Sequence, residues 1–166
     1  MLLLISDTNI LIDAEDGNLT PVIFRLPYEI AVSDVLFDLE LAEQHRHLLD
    51  AGLKVKSLTV ESINKIEALS LKYPKPSIID HSILALAMQE KCPLLTGDRD
   101  LRAAAKGEGV EVRGTLWIVE ELLKAKLIAL EQARSSFDSM KAKGSRLPWG
   151  DIEKLLGRNL VETKNE

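Results

Sequence analysis

Apolar residues gather first at Leu2 to Ile5, and a polar cluster, Ser6-Asp7-Thr8-Asn9, follows at once. A run that is apolar at every position fits a strand buried on both faces of a parallel sheet. Short helices are predicted over 9–14 and 19–26, and a second strand over 28–32, ending at Ser33-Asp34. Val35, Leu36, Leu39, Ala42 and Leu48-Leu49 then recur at helical spacing, which predicts one helix stopped by Gly52. LKVKSL (53–58) alternates as a strand does. A helix capped by Thr59 follows, broken by PKPS (74–77), and SIIDHSILALAMQEK opens the most apolar helix of the chain. PLLTGD (93–98) repeats the motif of a strand running into a polar turn. Beyond it come a helix over 98–106, a short strand over 110–112 and a helix over 116–127.

Strands alternating with helices in this way predict βαβ units. The fold class is α/β: a three-layer α/β/α arrangement with a mainly parallel four- to five-stranded sheet. From about residue 130 the texture changes. ALEQARSSFDSMKAKG and LPWGDIEKLLGRN read as two helices joined at Gly144-Ser145-Arg146, followed by a polar tail, ETKNE. The chain thus divides into a domain over 1–127 and a C-terminal helical extension over 128–166.

Composition narrows the class. A chain of 166 residues buries roughly 70% of its unfolded surface, enough for a core without staples. The single cysteine, Cys92, excludes an internal disulfide framework and a thiolate zinc site, and fits a reducing cytoplasm. Leu2 to Ile5 lacks the basic flank and the length of a signal peptide, and no apolar run reaches a membrane span. The net charge of −5 does not favour nucleic acid through bulk electrostatics, although bound metal would offset a carboxylate-rich site.

The acids fall in a pattern. Asp7 follows the first strand and Asp98 follows PLLTG, so a parallel sheet brings both to its carboxyl edge, where α/β proteins place their sites. Asp80 opens the helix before the strand of Asp98 and can point over the same rim, and Asp38 or Glu40 offers a fourth carboxylate. Each has a purely structural alternative: Asp7 and Asp98 as helix caps, Ser77 with Asp80 as a capping box, Asp38 and Glu40 as solvated charges. Capping alone gives no reason for acids at every junction on one edge. Crowded carboxylates raise one another's pKa, and a hard divalent cation, Mg²⁺ or Mn²⁺, resolves the repulsion. The chemistry implied is metal-dependent phosphodiester hydrolysis. No metal-spaced histidine pair competes, because His45 and His47, two apart, would lie on different faces of one helix. Arg99 and Arg102 flank Asp98 and could hold phosphates.

SDTNILID, IIDHSILALAMQ and LLTGDRDL together resemble the three signature stretches of the PIN-domain ribonucleases, which include the toxins of VapBC-type toxin–antitoxin pairs. The resemblance covers roughly residues 1–127, and the ending VRGTLWIVEELLKAKLI with its extra helices resembles a stand-alone subgroup. It implies a Mg²⁺- or Mn²⁺-dependent endoribonuclease acting on RNA through Asp7, Asp80 and Asp98. Glu40 is the better match for the fourth acid and Asp38 the alternative. Thr8, Asn9 and Thr96 fall at supporting polar positions and Asp100 where a further acid is common. It also implies a homodimer, which fits the apolar surplus of the helices over 59–90, and it admits an antitoxin partner. Two other readings use the same acids. One is an aspartate-based phosphoryl-transfer domain, which would need an acid pair where this chain has DTN. The other is a PIN-like scaffold without catalysis.

Overall fold

In the computed structural model, which describes residues 1–165, the strand β1 (Leu2–Ser6) occupies the middle of a five-stranded sheet. It pairs in parallel with β2 (Tyr28–Ser33) on one side and with β4 (Leu94–Leu95) on the other. β3 (Lys54–Lys56) and β5 (Val112–Arg113) form the edges, giving the order β3-β2-β1-β4-β5 with every pair parallel. The chain therefore winds outward from β1 to β3, then returns across the sheet to β4 and winds outward the other way. The reversal falls between β1 and β4, the point at which an open α/β sheet forms a crevice beyond its strand ends.

Helices cover both faces. On one side α1 (Thr8–Asp16), α2 (Thr20–Ile23) and α8 (Thr115–Lys124) pack together. On the other, α6 (Ile78–Glu90) lies across β1, β2 and β4 with α5 (Val60–Lys72) and α7 (Arg99–Gly107) against it. That central position explains why α6 is apolar all round: the whole run His81 to Ala87 is buried. α9 (Leu130–Ala142) sits on α1 and α8, with Ala133, Phe137 and Met140 joining the common core, and α10 (Trp149–Asn165) packs on α9. The helix α10 includes residues 162–165 of the expected polar tail, whereas Glu166 lies outside the described residues. No helix among the described residues is long and apolar enough to cross a membrane.

The continuous helix expected up to Gly52 does not form. α3 (Asp34–Leu36) passes into a π-helical turn, Phe37–Leu41, whose wider ladder is closed by Ala42 N–H donating to Phe37 O at 2.8 Å. The chain then turns before α4 (His47–Ala51). The cause lies in the apolar spacing: Leu36 and Leu41, five apart, are 1% and 0% exposed. A regular α-helix would instead carry Glu40 round to the face of Leu36. The inserted residue keeps Leu41 in the core and leaves Asp38 and Glu40 in solvent, together with Leu39, which helical spacing had assigned to the core but which is 69% exposed. The same break corrects the expectation for the histidines. His45 falls in the turn and His47 at the start of α4, with ring centroids 6.0 Å apart.

Candidate acidic site at the carboxyl edge of the sheet

The site is organised around Asp7, the residue that leaves β1. Its backbone N–H donates to Leu95 O at 2.9 Å, extending the β1–β4 ladder by one bond. One carboxylate oxygen caps α1 by accepting from Ile10 N–H at 2.9 Å, and the other accepts from the Thr96 hydroxyl at 2.5 Å. Thr96 follows β4 and is fully buried; its oxygen in turn accepts the Asp98 N–H at 3.1 Å. A single hydroxyl thus couples two acids that stand 91 residues apart in sequence.

Asp98 caps α7 through Leu101 N–H at 2.8 Å and is itself exposed. Asp80 closes a reciprocal capping box, donating N–H to Ser77 Oγ at 3.0 Å and accepting Ser77 N–H at 3.1 Å. All three acids therefore do act as caps. Each cap occupies one carboxylate oxygen, so capping and ligation do not exclude each other.

Asp7 is 5% exposed. Burial, opposed by the bonds from Thr96 and Ile10 and reinforced by the carboxylates of Asp80 and Asp13, pushes its pKa up to about 6. Asp80 is thus near enough for its charge to be felt. Asp38 and Glu40 lie on the π-helical turn after β2, on the same edge, and no hydrogen bond or ion pair among the described residues joins them to Asp7. Thr8 has a buried hydroxyl with no hydrogen-bond partner, Asn9 is exposed, and Asp100 is half-buried in the first turn of α7. Arg102 leans back to donate to Thr96 O at 3.2 Å, while Arg99 is exposed.

Asp13 was not among the residues expected at the site. It lies on α1 beyond Asp7, and its carboxylate accepts from Thr115 and Ser145 hydroxyls, both at 2.9 Å. Burial outweighs those two bonds and raises its pKa too. Its position on the helix that Asp7 caps was the one signal in the sequence. A cleft of about 1300 Å³ opens beside Asp13 and Asp98. Its walls include α1, α7, the start of α8 and the segment 143–148, and carry Arg99, Arg102, Lys106, Arg113, Lys143 and Arg146. Asp13, Asp16, Asp98, Glu120 and Asp151 line it as well, so the cleft carries charges of both signs.

This chain belongs to the PIN-domain family, whose model matches residues 3–159. The family is typically one of nucleases, which generally use divalent metal ions. Two solved structures share the fold. The first is PAE2754 from Pyrobaculum aerophilum, at 16% identity with a TM-score of 0.54, covering 74% of this chain and 90% of that one. The second is VapBC2 from Rickettsia felis, solved bound to a DNA fragment from its promoter, at 15% identity and TM-score 0.50, covering 68% and 98%. No match was found among curated protein sequences.

Proposed function

We propose that this protein is a metal-dependent endoribonuclease that hydrolyses phosphodiester bonds of single-stranded RNA in the cytoplasm. The observation that carries the reading is the buried Asp7 carboxylate, tied through Thr96 to Asp98 and facing the charge of Asp80 at the crevice between β1 and β4. A donor set made only of carboxylate oxygens, with Asp7 in no ion pair among the described residues, fits Mg²⁺ or Mn²⁺. Asp7, Asp80 and Asp98 would hold the ion, with Glu40, or in its place Asp38, as the fourth acid and Asp100 nearby. When bound, it supplies Lewis-acid stabilisation of the charge that builds on the phosphoryl group. Thr96 keeps Asp7 and Asp98 in register, and Thr8 and Asn9 follow Asp7 as polar neighbours. Arg99 and Arg102 receive the flanking phosphates. A toxin paired with an antitoxin protein is the biological setting that the VapBC2 likeness suggests.

Cleavage of single-stranded RNA by the purified protein, present with Mg²⁺ or Mn²⁺ and abolished by chelator, tests the reading. Asp98→Asn sharpens it. Asn caps a helix about as well as Asp, so thermal stability should stay within about 0.5 kcal/mol of the parent. Activity should fall roughly a hundredfold or more, since even outer-shell changes at metal sites lose 10–100-fold. Unchanged cleavage by Asp98→Asn would make that residue a cap only; no cleavage by the parent would favour a PIN-like scaffold.

The same reading extends to assembly as a homodimer. Val60, Ile63 and Leu71 form an exposed stripe along one face of α5, and Ile78 at the start of α6 is also exposed, whereas Leu69, Ile83, Leu84 and Leu86 are buried. Light scattering at micromolar concentration should return twice the 18.4 kDa chain mass; a monomer would count against the dimer.

A further inference from the structure

We propose that Glu15, His45 and His47 form a second metal site, for a borderline transition-metal ion of the Zn²⁺ type. Glu15 stands in the last turn of α1, His45 in the turn after the π-helical segment and His47 at the first position of α4. One ligand atom from each lies within 4.8 Å of the other two. His45 Nδ1 is 3.2 Å from Glu15 Oε2, and His47 Nε2 is in contact with Glu15 Oε1. Tetrahedral zinc with ligand distances of about 2.0–2.2 Å sets its donors about 3.4 Å apart. The His45–Glu15 spacing is already close to that, and the shorter His47–Glu15 contact would widen by an outward move of His47, whose side chain is 57% exposed.

A protonated histidine pair clamped on one carboxylate would use the same residues. His45 Nδ1 argues against that account. It is buried yet has no hydrogen-bond partner, meeting Glu15 off the direction that a hydrogen bond requires. A buried imidazole nitrogen within reach of the other two donors, yet without a hydrogen-bond partner, is left over for an ion. Imidazole donors select zinc, copper or nickel over Mg²⁺, so this site and the acidic one differ in the metal they take. They also differ in place. Glu15 follows Asp7 by eight residues, about 12 Å along the axis of α1. With three protein ligands the ion would fasten the end of α1 to the segment joining the π-helical turn to α4, leaving one position for water.

The test uses the full chain carrying Asp7→Asn and Asp98→Asn, which disables the acidic site, freed of metal by chelator and dialysis. Thermal unfolding is then followed with Zn²⁺ and, separately, with Mg²⁺. Zn²⁺ at a hundred times its dissociation constant should raise Tm by about 5 °C or more, and Mg²⁺ should leave it unmoved. The further change His47→Ala, at an exposed side chain, should erase the zinc shift without lowering the metal-free Tm appreciably. Co²⁺ added in place of Zn²⁺ should give visible ligand-field bands that His47→Ala abolishes. No zinc shift with the three ligands intact, an equal shift in His47→Ala, or cobalt bands indifferent to His47 would overturn the proposal.

Discussion

Asp7→Asn should abolish RNA cleavage and, in the same protein, make the metal-free fold more stable. The Asp7 carboxyl ionises at about 6 rather than 3.8, with burial as the largest cause and neighbouring carboxylates adding to it. Between those two values the native chain holds a proton that the unfolded chain has released. Metal-free stability therefore falls as pH rises from about 4 to about 6 and is flat above. At neutral pH the ionised group costs about 2 kcal/mol, from about 1.4 kcal/mol per unit with some relief by relaxation. Asn carries no charge, so the variant should regain most of that and lose the slope between pH 4 and 6. Its carbonyl can still accept from Ile10 N–H, and its amide can donate to the Thr96 oxygen. Urea titrations at pH 4.5 and 7.5 with chelator present check the sign. A variant less stable than the parent at pH 7.5 would mean that Asp7 is held for its bonds rather than in spite of its charge.

The second large effect is expected far from the acids. Phe137, on α9, is 2% exposed and belongs to the same hydrophobic cluster as the sheet. Phe137→Ala should destabilise by about 3–5 kcal/mol. The loss should extend to the cleft, because α9 seats the segment that walls it. Ser139 donates to Asp16 O at 2.6 Å, Lys143 lies 3.8 Å from Asp16, and Ser145 reaches Asp13. Gly17 lies at this contact: a Cβ there would stand 2.5 Å from Met140 Cε, so α1 and α9 meet closely and the Met140 side chain would have to shift to admit one. Trp117 on α8 and Trp149 on α10 offer fluorescence reporters on either side of this contact. Both should report one transition moved to lower urea with its slope unchanged. Two separate transitions would instead make 128–166 an independent unit.

Much of this architecture can be read from the residues. LLLIS and YEIAVS are apolar enough at successive positions to announce buried parallel strands, and PLLTGD repeats the strand-to-acid junction of the first. The sequence alone therefore puts Asp7 and Asp98 on one edge. The π-helical turn could not, because its cause is the burial of Leu36 with Leu41, which no helical period anticipates. Treating 35–52 as one helix then hid the convergence of His45 and His47. Asp13 escaped for another reason: its partners Thr115 and Ser145 lie 102 and 132 residues away. Thr96 was legible as a polar position from the family pattern, but its bridging of two acids depends on the pairing of β1 with β4.

The central placement of β1 bears on how the chain acquires its shape during synthesis. Ile5 finds Leu94 across a separation of 89 residues, whereas its other neighbour, β2, emerges early. Until β4 is made, one edge of the most apolar strand in the protein stands open. Long-range parallel pairing of this kind is slow to form, and an unpaired apolar edge invites association with other chains. Refolding from urea should accordingly lose yield as concentration rises. The segment most exposed to that fate is the one that ends in Asp7.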